Sequence, residues 1–269
     1  NIFSKKFIID IGDAKKKKHY VQVFENNMQK KKKPVIKPYK GESYVKISFI
    51  PDYKRFKFTD LTENVEKLFQ RRTYDISGVL KKTNVHWNNK KITIKNFSDY
   101  FKLYYSDDDE ISCVYQKCGE SEFIISNSAS DKFKQVSFVN GVNTKNGGKH
   151  VDFIMKQFIE NMHKEIKKKY KNAKIRDSFI KDKIWIFING VIENPSFSSQ
   201  SKDALSSAIK DDFCQIKALT MKNIINKLDL VTDIVSLIKA KETLQLGKTD
   251  SKRKKANLKD IPKLYDANY

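Results

Sequence analysis

The amino-acid sequence predicts an α+β fold, and three segments carry that prediction. Residues 41–50 alternate apolar and polar side chains, which is typical of a strand with one buried face. Residues 184–188 form an unbroken apolar run of the kind found in a buried strand. Between them, apolar side chains recur every three or four residues from Val151 to Ile166, which is the spacing of one face of a long α-helix.

The remaining elements follow from the same two periodicities. Strands are predicted at 7–11, 19–28, 111–116, 122–127 and 133–140, and a helix at 62–78. Lysines at 30–33 with prolines at 34 and 38 predict a loop, and the Asn-Asn pair at 88–89 predicts a hairpin turn. An acidic turn at 107–110 suggests a domain boundary. Further helices are predicted within 202–241, and a basic linker follows.

The composition points to a folded, basic protein with a polyanionic partner. Apolar residues make up 39% of the chain, which is enough to build a core. The chain carries 54 basic and 32 acidic side chains, for a net charge of +22. Nucleic acid is the first candidate partner and an anionic membrane surface the second, and composition alone does not separate them. No apolar run reaches the ~20 residues that a membrane-spanning helix needs.

The cysteines and histidines do not predict a metal site. The three cysteines lack the close pairing of a zinc knuckle, and the four histidines are scattered. A small, odd number of cysteines is typical of a reducing compartment. The prediction is therefore that the chain holds no metal site and works in a reducing compartment.

Several sequence motifs stand in the order found in one known family. They are Asn-Ile-Phe-Ser at 1–4, Phe-Ile-Pro-Asp at 49–52, Arg-Arg-Thr-Tyr-Asp-Ile-Ser-Gly at 71–78, Ser-Phe-Val-Asn-Gly at 137–141, Lys-Asn-Gly-Gly-Lys-His-Val-Asp at 145–152, Trp-Ile-Phe-Ile-Asn at 185–189, Ile-Glu-Asn-Pro at 192–195, Ser-Gln-Ser-Lys at 199–202, and Ile-Pro-Lys-Leu with Asp-Ala-Asn at 261–268. Over nearly its whole length the chain resembles eukaryotic-type DNA topoisomerase II.

The resemblance implies a specific domain order. Residues 1–104 would be the C-terminal part of a GHKL (Bergerat) ATPase domain, an α/β sandwich. Residues 105–245 would be the transducer domain, a mixed sheet backed by the long helix and containing a left-handed β-α-β crossover, against the usual hand. Residues 246–269 would lead toward a Toprim domain. The chain is thus expected to be a piece of a longer protein.

The resemblance also implies the cofactors and partners of the parent enzyme. These are ATP and Mg²⁺, double-stranded DNA, a second copy of the protein in a homodimer, and a nuclear location, with no membrane partner. The main nucleotide-binding motifs would lie upstream of Asn1, so this piece alone is expected to be inactive. The strand at 41–50 departs from the family, because Val45 stands where an adenine-side Thr is typical.

The predicted nucleotide-sensing residues are Gln200, Ser201 and Lys202. By resemblance, this loop reaches back to the ATPase domain and contacts the γ-phosphate, with Lys202 in the catalytic role. A lysine ammonium is a compact charge suited to a terminal phosphate. ADP lacks that phosphate, so the contact would differ between nucleotide states and could shift a conformational equilibrium.

The predicted DNA contacts are Lys167, Lys168 and Lys169 at the end of the long helix. The family has a lysine triplet here that is linked to DNA binding. Lysines at a helix C-terminus also commonly stabilise the helix by interacting with its dipole, so a purely structural role for these three residues stays open. Contacts of this kind would be made to phosphates without reading bases.

Two other functional interpretations remain open from the sequence. One is a basic, non-enzymatic nucleic-acid-binding module that uses its positive surface alone. The other is a different ATPase of the GHKL type, against which the Toprim-like exit at 261–268 argues. A Lys202→Ala substitution separates the first from the topoisomerase interpretation, because only the latter predicts a loss of ATP turnover without a loss of DNA affinity.

Overall fold

The computed structural model describes residues 1–106, 110–130, 132–171 and 175–238. The chain divides into two compact units, residues 1–70 and the residues from Arg71 onward. The division between residues 70 and 71 does not coincide with the domain boundary between residues 104 and 105 that the resemblance implies. The assignment of residues 1–104 and 105–245 to the two named domains stays a prediction. The predicted linker at 246–269 and most of the acidic turn at 107–110 lie outside the described residues.

The first unit is built on an antiparallel sheet. Its strands are β1 (Ser4–Asp13), β2 (Lys18–Glu25), β3 (Lys30–Lys31), β4 (Val35–Pro38) and β5 (Tyr44–Pro51). They lie in the order β3-β2-β1-β5, and β4 pairs with β2 beside β3. A short 3-10 helix (Tyr53–Phe56) and the start of α1 (Glu63–Val79) follow. The strand predictions at 7–11 and 41–50 and the helix prediction at 62–78 are confirmed, whereas the strand predicted at 19–28 ends earlier, at Glu25.

Two expectations for the first unit are wrong. The predicted loop at 30–38 contains β3 and β4, which pair with β2. These short strands lie at the edge of the sheet, where lysine and proline are common, so they lack an apolar pattern. The strand at 41–50 was expected to be half buried, yet Val45, Ile47 and Phe49 are 69%, 49% and 53% exposed. No described residue covers that stretch of the sheet fully.

The second unit begins with small elements and continues into a larger sheet. Its helices are α2 (Phe97–Lys102), α3 (Lys149–Lys169), α4 (Asp177–Lys181) and α5 (Ala218–Leu228), and residues 230–238 are also helical. Its strands are β6 (His86–Trp87), β7 (Lys90–Lys91), β8 (Cys113–Cys118), β9 (Ser121–Asn127), β10 (Lys134–Val139), β11 (Val142–Asn143) and β12 (Ile184–Gly190). Asn88 and Asn89 both have positive φ, 48° and 63°, which confirms the predicted hairpin turn between β6 and β7.

The main sheet of the second unit is mixed, as predicted. Its order is β11-β10-β12-β9-β8. β10 and β12 are parallel neighbours, while the other pairs are antiparallel. Parallel strands need a crossover, and α3 with α4 supplies it. This is the β-α-β unit that the family resemblance implies, and the left hand of its crossover stays a prediction.

Both faces of this sheet are covered. On one face, the apolar side of α3 packs with α5 and residues 230–238 against alternate residues of β8, β9 and β12, such as Phe123 and Ile186. On the other face, Ile124 and Phe187 pack with aromatic residues of α2. The near-continuous apolar runs of β9 and β12 are explained by burial on both sides.

The prediction of helices throughout 202–241 is wrong for residues 202–217. This segment is the second half of a long loop, 191–217, whose backbone bonds to distant residues rather than along a helix. The reason is visible in the local sequence, since Ser and Asp side chains compete with helical hydrogen bonds. Helix begins only at Ala218.

Candidate functional site

The loop after β12 starts from a fixed point. Asn140, in the turn between β10 and β11, bonds Ile192 twice: its Nδ2 donates to the carbonyl at 2.8 Å and its Oδ1 accepts from the amide at 2.9 Å. The Val191 amide donates to Ser121 Oγ at 2.9 Å. The first two residues of the loop are therefore held against the main sheet.

The middle of the loop is attached to the beginning of α3. Leu205 donates its amide hydrogen to Gly147 O at 3.1 Å and accepts from the Lys149 amide at 3.1 Å. Its side chain is 2% exposed. Gly148 has φ 122° and lies so close that a Cβ there would stand 2.4 Å from Leu205 O. Gly148 thus allows a close backbone approach that a side chain at this position would prevent.

The tip of the loop carries the predicted nucleotide-sensing residues. Gln200, Ser201 and Lys202 are all exposed. The Lys202 amide donates to Ser199 O at 3.0 Å, and Lys202 has φ 59°, so the chain turns sharply there. The structure thus presents Lys202 at the surface of a turn.

The side chains at the tip have separate roles. The Ser201 hydroxyl donates to Asp203 Oδ2 at 2.7 Å, and Lys145 Nζ lies 3.5 Å from the same oxygen. The Lys202 ammonium lies 5.6 Å from the centre of the Phe197 ring. Within the described part of the chain, Lys202 forms no ion pair. Its charge is available to an anion, whereas the Ser201 hydroxyl already helps to shape the turn.

The end of the loop is held by two glutamines that the sequence analysis did not single out. Gln157 on α3 accepts from the Ile216 amide at 3.0 Å and donates to Cys214 O at 3.1 Å. Gln116 on β8 accepts from the Lys217 amide at 3.0 Å and donates to Gln215 O at 2.8 Å. Four backbone groups of residues 214–217 are satisfied in this way. A lone polar residue in a strand or helix pattern gives no sequence signal for such a role.

A disulfide joins the same segment to the main sheet. Cys118, at the end of β8, is bonded to Cys214 across 96 residues, and Cys113 is free. The small, odd number of cysteines, typical of a reducing compartment, did not lead us to expect this bond. Three cysteines with distant spacing carry no information about which two meet. Burial raises the pKa of the free Cys113 thiol.

A buried histidine lies beneath the attachment of the loop. His150, in the first turn of α3, is fully buried, and its Nε2 lies 3.3 Å from Thr144 Oγ1. Its Nδ1 has no hydrogen-bond partner. Burial lowers the pKa of His150 to about 4, so the ring is neutral at pH 7. A packing role fits these contacts.

The predicted DNA-contacting lysines lie at the other end of α3. Lys167, Lys168 and Lys169 are exposed, and Lys168 pairs with Glu165 at 2.5 Å. Leu205 is attached at the start of this 21-residue helix, which spans roughly 30 Å at 1.5 Å per residue. The structure therefore keeps the two predicted sites apart instead of joining them into one.

The described residues do not form other common types of site. No cluster of three metal-ligating side chains occurs among the described residues. In the same part of the chain, no helix is long and apolar enough to cross a membrane. Val45, on β5, is 69% exposed on the sheet of the first unit.

The second unit is thus a mixed sheet backed by α3, with an exposed lysine-bearing loop attached to the start of that helix. The family model described as DNA gyrase B matches residues 75–255, and the chain belongs to this family. It is 36% identical over 260 residues to DNA topoisomerase 2 of Arabidopsis thaliana, covering 93% of this chain and 18% of the relative. The chain spans about a fifth of the length of the curated relatives that it matches.

Solved structures agree with this assignment. The ATPase region of Saccharomyces cerevisiae topoisomerase II matches with a TM-score of 0.80 and 35% identity, over 88% of this chain and 62% of that one. The ATPase and transducer domains of DNA topoisomerase II from Balamuthia mandrillaris match with a TM-score of 0.84 and 25% identity, over 90% of this chain and 63% of that one. The predicted resemblance and the α+β fold class are confirmed.

Proposed function

We propose that this chain is the ATPase–transducer part of an ATP-dependent type II DNA topoisomerase. In this role it couples ATP binding and hydrolysis to the passage of one DNA duplex through another. The observation that carries the proposal is the position of Lys202, an unpaired surface cation on a loop whose middle is attached to the start of α3. A movement of the backbone at the loop tip would therefore be transmitted to α3 through the hydrogen bonds of Leu205.

The described residues fit a terminal phosphate but not a whole nucleotide. The nine glycines are dispersed, so no glycine-rich phosphate loop is present. Gln200 and Lys202 offer an amide and an ammonium at an exposed turn, which are suitable donors to a phosphoryl oxygen. ATP and Mg²⁺ would be held mainly by residues of the parent protein outside this chain, and ATP would supply the terminal phosphoryl group that hydrolysis removes.

The role of this chain's own residues follows from their contacts. Lys202 would bind the terminal phosphate, and Gln200 would orient it. Asp203, held by Ser201 and Lys145, would keep the turn in its observed shape. Loss of the phosphate would release Lys202, and the attachment at Leu205 would pass that change to α3.

The remaining partners belong to the same proposal. Double-stranded DNA is the expected substrate, with Lys167, Lys168 and Lys169 as phosphate contacts, and the parent enzyme is expected to act as a homodimer in the nucleus. The net charge of +22 supports a polyanionic partner. Curated relatives named DNA topoisomerase 2 support the choice of DNA.

The test is made in the intact parent enzyme. Lys202→Ala should lower DNA-stimulated ATP turnover by roughly 10- to 100-fold, the effect of one lost charge-assisted contact. DNA affinity should change by less than about twofold. Lys210→Ala is the matched control, because Lys210 is an exposed lysine of the same loop that lies 3.8 Å from Glu193, and it should leave turnover unchanged. Equal losses of DNA affinity in Lys202→Ala and Lys167→Ala would instead favour a simple basic binding module.

A further inference from the structure

The sheet of the first unit gathers lysines from two separate sequence segments at one end. Lys15, Lys16, Lys17 and Lys18 occupy the turn between β1 and β2 and the first position of β2. Pairing of β2 with β4 places Lys37 opposite His19, and Lys40 follows two residues after β4. All six side chains are exposed. We call them the hairpin lysines.

The backbone that carries the hairpin lysines is fixed at several points. Asp13 Oδ1 accepts from the amides of Lys15 and Lys16, each at 2.9 Å. The Tyr39 amide donates to Lys17 O at 2.9 Å, and the Ala14 amide donates to Ser43 Oγ at 3.0 Å. Because the turn is already ordered, a ligand that binds these lysines does not have to order their backbone.

The nearby carboxylates make their close contacts with groups other than these lysines. Asp13 is engaged with the turn amides, and Asp10 accepts from the Tyr44 hydroxyl at 2.7 Å and lies 2.7 Å from His19 Nε2. The hydrogen bond from Tyr44 is the largest cause of a lowered pKa at Asp10. Within the described ranges, none of the hairpin lysines forms an ion pair. Without a bound polyanion, these six exposed cations at one end of the sheet repel one another.

We propose that the hairpin lysines form a binding surface for the phosphate backbone of duplex DNA, without base readout. The proposal rests on the proposed function for the choice of DNA as the polyanion. The turn at 14–18 consists of one alanine and four lysines, with no large apolar side chain to insert into a bilayer. This surface lies in the first unit, whereas Lys167, Lys168 and Lys169 belong to the second.

The test compares two charge-matched triple variants of the protein. The hairpin variant combines Lys15→Gln, Lys16→Gln and Lys18→Gln, and leaves Lys17 with its φ of 49° in place. The control combines Lys30→Gln, Lys31→Gln and Lys33→Gln at the other end of the sheet, and leaves Lys32, which pairs with Glu25 at 3.0 Å. Affinity for a fluorescent duplex is measured by anisotropy over a series of salt concentrations.

Three lost phosphate contacts should reduce the slope of log affinity against log salt by roughly 2 to 3. The hairpin variant should also bind at least about tenfold more weakly at low salt. The control should lose less than about threefold, and the corresponding Lys→Arg hairpin variant should keep the affinity because it keeps the charge. Circular dichroism of each variant confirms that the fold is retained.

Two results would overturn the proposal. Equal losses in the hairpin and control variants would mean that net charge, and not this surface, determines binding. A hairpin variant with unchanged duplex affinity and reduced binding to phosphatidylserine vesicles would assign the surface to a membrane. Neither result alters the effect of Lys202→Ala on ATP turnover, so failure here is distinguishable from failure of the proposed function.

Discussion

Gly148 and Leu205 approach so closely that the loop after β12 and the start of α3 share a short backbone ladder. Leu205 bonds the residues on both sides of Gly148, and a Cβ on Gly148 would lie 2.4 Å from Leu205 O. The exposed Lys202 is only three residues from this contact. Backbone hydrogen bonds therefore connect the segment that follows Lys202 to the start of α3.

The first prediction is that Gly148→Ala destabilises the protein strongly. The new methyl group would collide with the backbone of Leu205, and φ of 122° is unfavourable for any L side chain. The free energy of unfolding should fall by about 2–4 kcal/mol in urea titrations, because strain and displacement of the loop add.

Gly119→Ala provides the control for this prediction. Gly119 also has positive φ, 58°, yet nothing lies within 4 Å of a Cβ built there. Its cost should be about 1 kcal/mol, from the backbone conformation alone. Equal costs at the two glycines would show that the contact with Leu205 contributes nothing.

The second prediction concerns the two glutamines that hold residues 214–217. Gln157→Met would leave the Ile216 amide and Cys214 O without partners, and Gln116→Met would do the same for the Lys217 amide and Gln215 O. Each variant should lose about 2–4 kcal/mol, since two partly buried backbone groups lose their hydrogen bonds.

Hydrogen exchange locates the effect of these variants. The amides of Ile216 and Lys217 should exchange faster in Gln157→Met and Gln116→Met respectively, while amides of β9 stay protected. Gln215→Met is the control, because Gln215 is an exposed residue whose side chain bonds only Asp211 O among the described partners. Unchanged exchange at Ile216 in Gln157→Met would contradict the assigned contact.

Periodic patterns in the sequence predicted the regular helices and strands, because side chains on one face of such an element recur at a fixed spacing. The spacing of Val151, Ile154 and Phe158 predicted α3, because these residues form the helical face that packs on the sheet. The apolar run at 184–188 found β12, which is buried on both faces. The Asn-Asn turn is a local signal, since both residues tolerate positive φ.

Contacts between distant residues could not be predicted in this way. The bonds between Leu205 and the backbone beside Gly148 use amide and carbonyl groups, which every sequence contains. The exposed strand residue Val45 shows a related limit, because alternation predicts a strand face but not what covers it. The prediction for Lys202 rests on family resemblance, since a Gln-Ser-Lys tripeptide has no physical pattern of its own.

The third prediction is that reduction of the Cys118–Cys214 disulfide destabilises the second unit. The bond closes a loop of 96 residues, and cross-links of that length commonly contribute about 2–4 kcal/mol by restricting the unfolded chain. Dithiothreitol should lower the melting temperature of the wild-type protein.

Cysteine variants separate this effect from a general response to reductant. Cys118→Ser should melt at the lower temperature with and without dithiothreitol. Cys113→Ser should retain the full response, because Cys113 is outside the bond. A wild-type protein whose melting temperature ignores the reductant would show that the two sulfurs are not bonded in solution.

The fourth prediction is a pH dependence that originates at His150. Burial lowers its pKa to about 4 in the folded protein, against 6.5 for the ordinary ring. Between these values the unfolded chain binds a proton that the folded chain does not, so stability falls as pH falls through this window. The loss should approach about 3 kcal/mol from pH 7.5 to pH 4. It is measured by urea unfolding at a series of pH values.

His150→Gln removes the titrating ring from the same buried position. Gln retains a side-chain group that can reach Thr144 Oγ1, which lies 3.3 Å from His150 Nε2 in the wild type. Its unfolding free energy should be lower than that of the wild type at pH 7.5, because the packing around the ring changes. It should change less than that of the wild type between pH 6.5 and pH 4, because no ring titrates. His86→Gln is the comparison, because His86 is an exposed residue of the β6–β7 hairpin and should leave the wild-type profile intact. If His150→Gln and wild type follow parallel pH profiles, the decline originates at other groups, and the neutral buried ring is not what limits the fold at low pH.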